Sequence, residues 1–274
     1  MKLSPILDVQ EVGSGPVVVM LAGFGLDHRL WDGQVESLAS THRVICVDLL
    51  GTGRSSKPLT GYATVEQADL LIDTLHRLRV DRFSLVGHSF GGMVAFAVAA
   101  LRPDLVERLI LVGSNGVRAA RSDEFPFGAP PEKMLDALVT AERTNPVASR
   151  RRTLAAGFAS DPDPAVLDFL TRIFQDMPSW SAIACFEQMY ATDQIEYIGR
   201  LTMPVMQVVG ELDRVHPAAG AQWLQARLKS AVLEILPSVG HYPMFESPAA
   251  LSSFLVRSLA MPIPSEDTST SALS

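Results

Sequence analysis

Short apolar runs rich in β-branched residues alternate with longer segments whose apolar positions recur every three or four residues. Period-two or continuous apolar runs predict strands, and the longer spacing predicts amphipathic helices. The runs predict strands at Leu7 to Val12, Val17 to Leu21, Arg43 to Val47, Phe83 to Val86, Leu109 to Val112, Val205 to Val209 and Val232 to Leu236. Continuous runs such as Val17 to Leu21 suit strands covered on both faces, as in a parallel sheet. Between them the spacing predicts helices at Val65 to Leu78, Ser89 to Leu101, Ala218 to Leu228 and Pro248 to Leu259. Alternating strands and helices imply an α/β fold with a doubly wound, mostly parallel sheet.

The alternation stops between Gly116 and Met203, where helical patterns follow one another without a strand. Helices are predicted there at Pro131 to Arg143, Val147 to Phe158, Pro164 to Phe174 and Ser179 to Tyr190. Asp163 before Pro164 supplies an N-cap with proline in the first turn. The pattern divides the chain into a core formed by residues 1–115 and 204–261, and a helical cap inserted at 116–203. Residues 262–274, rich in Ser, Thr and Pro, are expected to be a disordered tail.

With 274 residues, 47% hydrophobic and 19% charged, the chain has the composition of an ordinary globular protein. Its net charge of -7, with no dense Lys/Arg stripe, argues against nucleic acid as a partner. Two cysteines, Cys46 and Cys185, are too few for a disulfide framework and are expected as buried thiols. No apolar run reaches bilayer length, and the first residues lack the apolar segment of a secretion signal. A cytoplasmic location without membrane association is therefore expected.

The densest chemical signal is Gly87-His88-Ser89-Phe90-Gly91, preceded by an apolar strand pattern and followed by an Ala-rich helical one. A serine on a sharp strand-to-helix turn is held with its hydroxyl clear of the sheet, and the flanking glycines let helix and strand approach closely. A serine hydroxyl becomes a useful nucleophile only when a base takes its proton and a third group orients that base. The strand pattern Val205 to Val209 ends in Gly210-Glu211-Leu212-Asp213, and Val232 to Leu236 ends in Ser238-Val239-Gly240-His241. Loops beyond the carboxyl ends of parallel strands converge on one crevice, so Ser89, Asp213 and His241 are predicted to meet. Glu211 is the nearest rival acid, but it lies closer to the strand end.

In the order Ser, Asp, His, and in the loop Asp48-Leu49-Leu50-Gly51-Thr52-Gly53-Arg54-Ser55, the chain resembles the α/β-hydrolase superfamily over about Leu7 to Leu259. The resemblance implies a helical-cap serine hydrolase that needs no metal and no cofactor, acting on a carboxylic ester, lactone or thioester through an acyl-enzyme on Ser89. It places the oxyanion donors on the main-chain N–H groups of Phe24 and Phe90. Relatives commonly carry histidine where this chain has Ala22, which leaves the support of the oxyanion loop to other groups. It also leads one to expect that the first of the usual eight strands is missing or rudimentary.

Two other readings stay open. The same triad serves C–C bond hydrolysis, lyase chemistry and perhydrolysis, and the same fold serves as a ligand-binding receptor with little turnover. His88 is read as structural, with its side chain away from the active face, and Asp48 to Ser55 as a hydrogen-bonded loop supporting the site. Arg150-Arg151-Arg152 is read as a solvated helix face, or else as a docking patch for an acidic carrier protein. Phe125, Phe127, Trp180, Phe186, Met189 and Tyr190 suit either a pocket for a moderately apolar acyl substrate or the cap core. His216, Tyr242 and Met244 are expected to border the crevice.

Overall fold

A computed structural model of the chain describes residues 5–263. Among these residues the strands are β1 (Val9–Val12), β2 (Val17–Leu21), β3 (Arg43–Val47), β4 (Phe83–His88), β5 (Val106–Val112), β6 (Val205–Gly210) and β7 (Ala231–Leu236). They form one sheet in the order β1, β3, β2, β4, β5, β6, β7. β1 runs antiparallel to β3 and all other pairs are parallel. The helices are α1 (Asp32–Leu38), α2 (Thr64–Arg77), α3 (Phe90–Leu101), α4 (Pro131–Thr144), α5 (Pro146–Gly157), α6 (Pro164–Gln175), α7 (Ser179–Ala191), α8 (Ala218–Gln225), α9 (Pro243–Glu246) and α10 (Pro248–Ala260). None of the described helices is long and apolar enough to cross a membrane.

The central layer follows from hydrophobic burial. β4 is buried throughout, and α3, which leaves it through Ser89, is buried from Phe90 to Ala100. A helix apolar on all sides must be covered on all sides. α3 lies against β4 and β5 and is also packed by α2. α2 buries Thr64, Gln67, Ala68, Leu71, Thr74 and Leu75, a stripe at the i, i+3, i+4, i+7 spacing of one helix face. Edge strands are less demanding: in β7, Val232 and Ile235 remain exposed.

α4 to α7 all lie between β5 and β6. Their starts are punctuated as the sequence predicts, with proline in the first turn of α4, α5 and α6. Asn145 Oδ1 accepts from the Ala148 N–H at 3.1 Å and Asp163 Oδ1 from the Ala165 N–H at 2.7 Å, each satisfying an N–H that the helix leaves unpaired.

Several elements differ from expectation at their ends or were not expected at all. β5 begins three residues earlier than the apolar run, because Glu107 and Arg108 interrupt the pattern while Val106 still pairs with Phe83. α1 and α9 are seven and four residues long, too short for a 3.6-residue period to stand out. A 3-10 turn at Ile195–Arg200 follows α7. One strand, β1, precedes Val17 among the described residues. The tail expected at 262–274 lies, beyond residue 263, outside the described residues.

At the β4–α3 junction backbone segments approach one another closely. A methyl group on residue 87 would sit 2.5 Å from the Gly91 carbonyl oxygen, and one on residue 91 would sit 2.7 Å from that of Leu21. Those neighbours are backbone atoms of a buried strand and helix, so they cannot yield cheaply. Gly87→Ala and Gly91→Ala are each expected to lower stability by about 2 kcal/mol or more. Chemical denaturation of the two variants checks this; a loss below half that value would mean the junction can relax.

Candidate active site

The nucleophile candidate sits at the junction just described. Ser89, between β4 and α3, has φ 52° and ψ −120°, a region that residues carrying a Cβ rarely adopt. Its amide donates to the Val112 carbonyl at 3.0 Å, and its carbonyl accepts from the Gly92 N–H at 2.9 Å and from Ser114 Oγ at 2.8 Å. β5, the loop that follows it and α3 therefore hold the strained residue.

The loops after β6 and β7 bring the other two expected residues to it. Ser89 Oγ lies 2.9 Å from His241 Nε2, and His241 Nδ1 lies 2.8 Å from Asp213 Oδ2. A carboxylate only accepts, so Nδ1 carries the proton and donates to Asp213 while Nε2 is free to accept from the serine hydroxyl. Asp213 Oδ1 accepts from the N–H groups of Val215 and His216, both at 2.8 Å. Burial works against the charged Asp213 carboxylate, but His241 and the His216 contacts outweigh it and hold its pKa below the ordinary carboxylate value. Glu211, the rival acid, is exposed and accepts from the Ser238 N–H at 3.0 Å, closing the turn that leads to His241.

Two further imidazoles pack on His241. The His88 ring is 4.8 Å away between centroids, and its Nε2–H donates to the His241 carbonyl at 2.9 Å. His216 stacks on the His241 ring at 5.7 Å with 24° between planes. The tautomer of His216 follows from Asn115. Asn115 Oδ1 accepts from the N–H groups of Val117 and Arg118, so Nδ2 is the atom facing His216 and it donates to Nδ1 at 2.8 Å. The ring proton of His216 is therefore on Nε2.

Glu246, in α9, is a residue that the sequence reading did not single out. Its Oε2 accepts from the N–H groups of Gly240 and Ala159, at 2.9 and 2.8 Å, and its Oε1 from that of Tyr242 at 3.0 Å. One carboxylate thus ties the loop bearing His241 to the end of α5. The His241 N–H adds a bond to the Gly157 carbonyl at 2.7 Å. Nothing in the sequence signals this role, since all three partners are main-chain groups.

The loop expected to carry an oxyanion donor, Gly23 to Gly25, lies directly beside the serine. A methyl on residue 23 would fall 3.0 Å from Ser89 Cβ and 2.7 Å from His88 Nδ1. The Phe24 side chain packs on two helices of the stretch between β5 and β6, edge-on to Phe174 of α6 at 5.1 Å and tilted against Phe186 of α7 at 4.3 Å. Phe90 is the first residue of α3, which places its N–H among the unpaired donors of a helix start.

The remaining candidates are distributed differently than the sequence pattern suggests. Arg150 is not a solvated residue: it is buried and paired with buried Glu142. Arg151 pairs with Asp168 on the surface, so two of the three guanidiniums in that run already have acidic partners. Phe125 is fully buried against Phe127 and Trp223, anchoring residues 117–130 to α8. Trp180 is half exposed and its indole N–H donates to the Lys57 carbonyl at 3.2 Å. Tyr242 and Met244 are buried, with Tyr242 packed on His88, His241 and Phe158. Asp48 accepts from the His28 N–H, His28 Nδ1 and the Arg54 N–H, closing its loop. Asp8, His28 and Asp48 group their donor atoms within 4.8 Å of one another, but these hydrogen bonds already occupy the Asp48 oxygens.

Comparison with known proteins agrees with this architecture. Residues 18–254 match the family model described as "Alpha/beta hydrolase family". An uncharacterized protein of Mycobacterium tuberculosis is 31% identical over 272 residues, spanning 93% of this chain and 78% of the relative. The pimeloyl-[acyl-carrier protein] methyl ester esterase of Nitrosomonas europaea is 29% identical, spanning 88% of this chain and 95% of that protein. Among solved structures, an esterase from Exiguobacterium antarcticum superposes with a TM-score of 0.89 over 92% of this chain and 95% of the other, at 23% identity.

Burial lowers the pKa of His216 to about 4 and that of His88 to about 3. In an unfolded chain both would titrate near 6.5. Between about pH 6.5 and pH 4 the unfolded state therefore binds more protons than the folded state, and stability rises with pH across that window. Acid unfolding should start well above the carboxylate range. His216→Asn is expected to reduce the slope of unfolding free energy against pH there by close to one proton. Denaturation series at several pH values measure the slope, and an unchanged slope would show that His216 is not held neutral.

Proposed function

The chain belongs to the alpha/beta hydrolase family, and from that premise we propose that it is a serine hydrolase cleaving a carboxylic ester, lactone or thioester through an acyl-enzyme on Ser89. One observation carries the reading: the unbroken hydrogen-bonded line from Ser89 Oγ through His241 to Asp213, at 2.9 and 2.8 Å, built on a serine in a strained turn. The esterase named among the relatives, which acts on a pimeloyl methyl ester, supports an acyl substrate. The ring of Phe24, in the loop beside the serine, and that of Phe186 packed on it favour a moderately apolar one.

In this reading His241 Nε2 takes the hydroxyl proton as Ser89 Oγ bonds to the substrate carbonyl carbon. The carbonyl electron pair moves to oxygen, where the main-chain N–H groups of Phe24 and Phe90 stabilise it. Asp213 holds the imidazole in its tautomer and stabilises the imidazolium. Collapse of the intermediate expels the alcohol, thiol or ring oxygen, which receives the proton from Nε2. Water, deprotonated by the same nitrogen, then attacks the acyl carbon and releases Ser89.

Ser89→Ala is expected to keep its fold and to lose kcat/KM on p-nitrophenyl butyrate by at least about 10⁴-fold. A fluorophosphonate probe is expected to label the wild type and not the variant. Turnover largely retained by Ser89→Ala would end the assignment, and labelling without multiple turnovers by the wild type would favour a binding protein on the same scaffold.

A further inference from the structure

Arg150 and Glu142 form a buried ion pair inside the cap, with relative side-chain exposures of 6% and 1%. A buried pair of this kind costs several kcal/mol in lost solvation, and replacing both members by apolar residues often leaves stability unchanged or improved. Stability alone is therefore a poor account of why four cap helices converge on it. Glu142 comes from α4, Arg150 from α5, and Ser179 at the start of α7 donates its hydroxyl to Glu142 Oε1 at 2.8 Å. From α6, the Phe174 carbonyl accepts from Arg150 Nη1 at 2.9 Å, and the guanidinium carbon lies 5.0 Å from the centre of the Phe174 ring.

Phe174 is where this polar knot meets the active site. Its ring is edge-on to Phe24, with centroids 5.1 Å apart. Its Cε2 and Cδ2 atoms press so closely on Gly25, at φ 73°, that a methyl group there would collide with the ring. The ring is thus in contact with the Arg150 guanidinium, the Phe24 ring and Gly25. Two residues further on, Asp176 accepts from Arg29 Nη2 at 2.7 Å, and Arg29 also pairs with buried Asp27 of the same loop. The end of α6 therefore grips the residue 24–29 loop at two points.

We propose that Arg150, held by Glu142, is a positioning residue for acyl transfer: by locking Phe174 against Phe24 and Gly25 it fixes the Phe24 N–H at the oxyanion. This rests on the assignment of Ser89 and Phe24 made above. Arg150 touches no reacting atom, and its influence passes through Phe174. A displaced oxyanion donor weakens transition-state stabilisation while leaving ground-state binding nearly intact, so the signature is a fall in kcat at constant KM.

The paired variant Arg150→Met with Glu142→Leu separates positioning from stability, because it leaves no unpaired buried charge. Its kcat on p-nitrophenyl butyrate is expected to fall about ten- to a hundredfold with KM within about twofold. Affinity for an aryl trifluoromethyl ketone, whose adduct with Ser89 carries the same oxyanion, should weaken by a similar factor while the melting temperature stays near that of the wild type. Phe174→Leu, which leaves the ion pair in place, should show the same split, and Arg150→Lys should restore only part of the rate because it lacks the guanidinium fork. Wild-type kcat and ketone affinity in a folded paired variant, or in Phe174→Leu if the paired variant does not fold, would overturn the proposal. Wild-type protein that neither labels with fluorophosphonate nor hydrolyses the ester would instead defeat the Ser89 assignment, and this proposal with it.

Discussion

Ser89 must hold a positive φ while carrying a side chain, and the centre of the molecule is arranged around that demand. A residue in such a conformation costs on the order of 1–3 kcal/mol and persists only where its surroundings over-determine it. Here they do. β5 takes its amide, α3 and Ser114 take its carbonyl, and Gly87 and Gly91 let β4 and α3 pass at a distance no side chain permits. The carbonyl of Ser89 spends two acceptor sites on holding the turn, so the residue's hydroxyl is its only polar group left for His241. Moving the serine by one residue would lose the glycines, the amide partner and the reach of the imidazole together.

The second organising fact is that three imidazoles lie in contact yet meet two different fates. His241 has a carboxylate on one nitrogen and the serine hydroxyl on the other. His88 and His216 are fully enclosed without an acid directly on the ring, and burial keeps both neutral. A second cation beside His241 would oppose the positive charge it must accept in the proposed reaction. The neighbours avoid this by giving up their own basicity, and each also works as a fixed donor: His88 to the His241 carbonyl, and the His216 amide to Asp213.

How much of this was visible in the sequence depends on whether a feature is local. The strand patterns of β2 and β3 carry unbroken apolar runs, those of β4 and β6 are broken only at Ser84 and Gln207, and all four could be read directly, as could the Ser89 turn with its glycines. Asp213 and His241 could be named because each follows a strand end, and parallel topology brings such ends together. α1 escaped because a seven-residue helix shows less than two full turns of period. Arg150 was misread as solvated because three consecutive arginines look like a charged face, and nothing local announces that Glu142 and the Phe174 carbonyl lie opposite. Glu246 escaped for a related reason: its partners are backbone N–H groups at Ala159, Gly240 and Tyr242, which have no sequence signature.

These non-local ties change how the helical insertion should be regarded. The end of α5 is bonded to the His241 loop through Gly157 and Ala159, and the end of α6 is packed on the Phe24 loop through Phe174 and Asp176. The insertion thus holds both the base and the expected oxyanion loop, the two parts of the site that β4 and α3 do not themselves fix. A cap that only covered the crevice could slide or be remodelled without consequence for chemistry. One anchored in this way cannot: under the proposed reaction, the carboxyl ends of α5 and α6 are constrained by the placement of His241 and of the Phe24 loop.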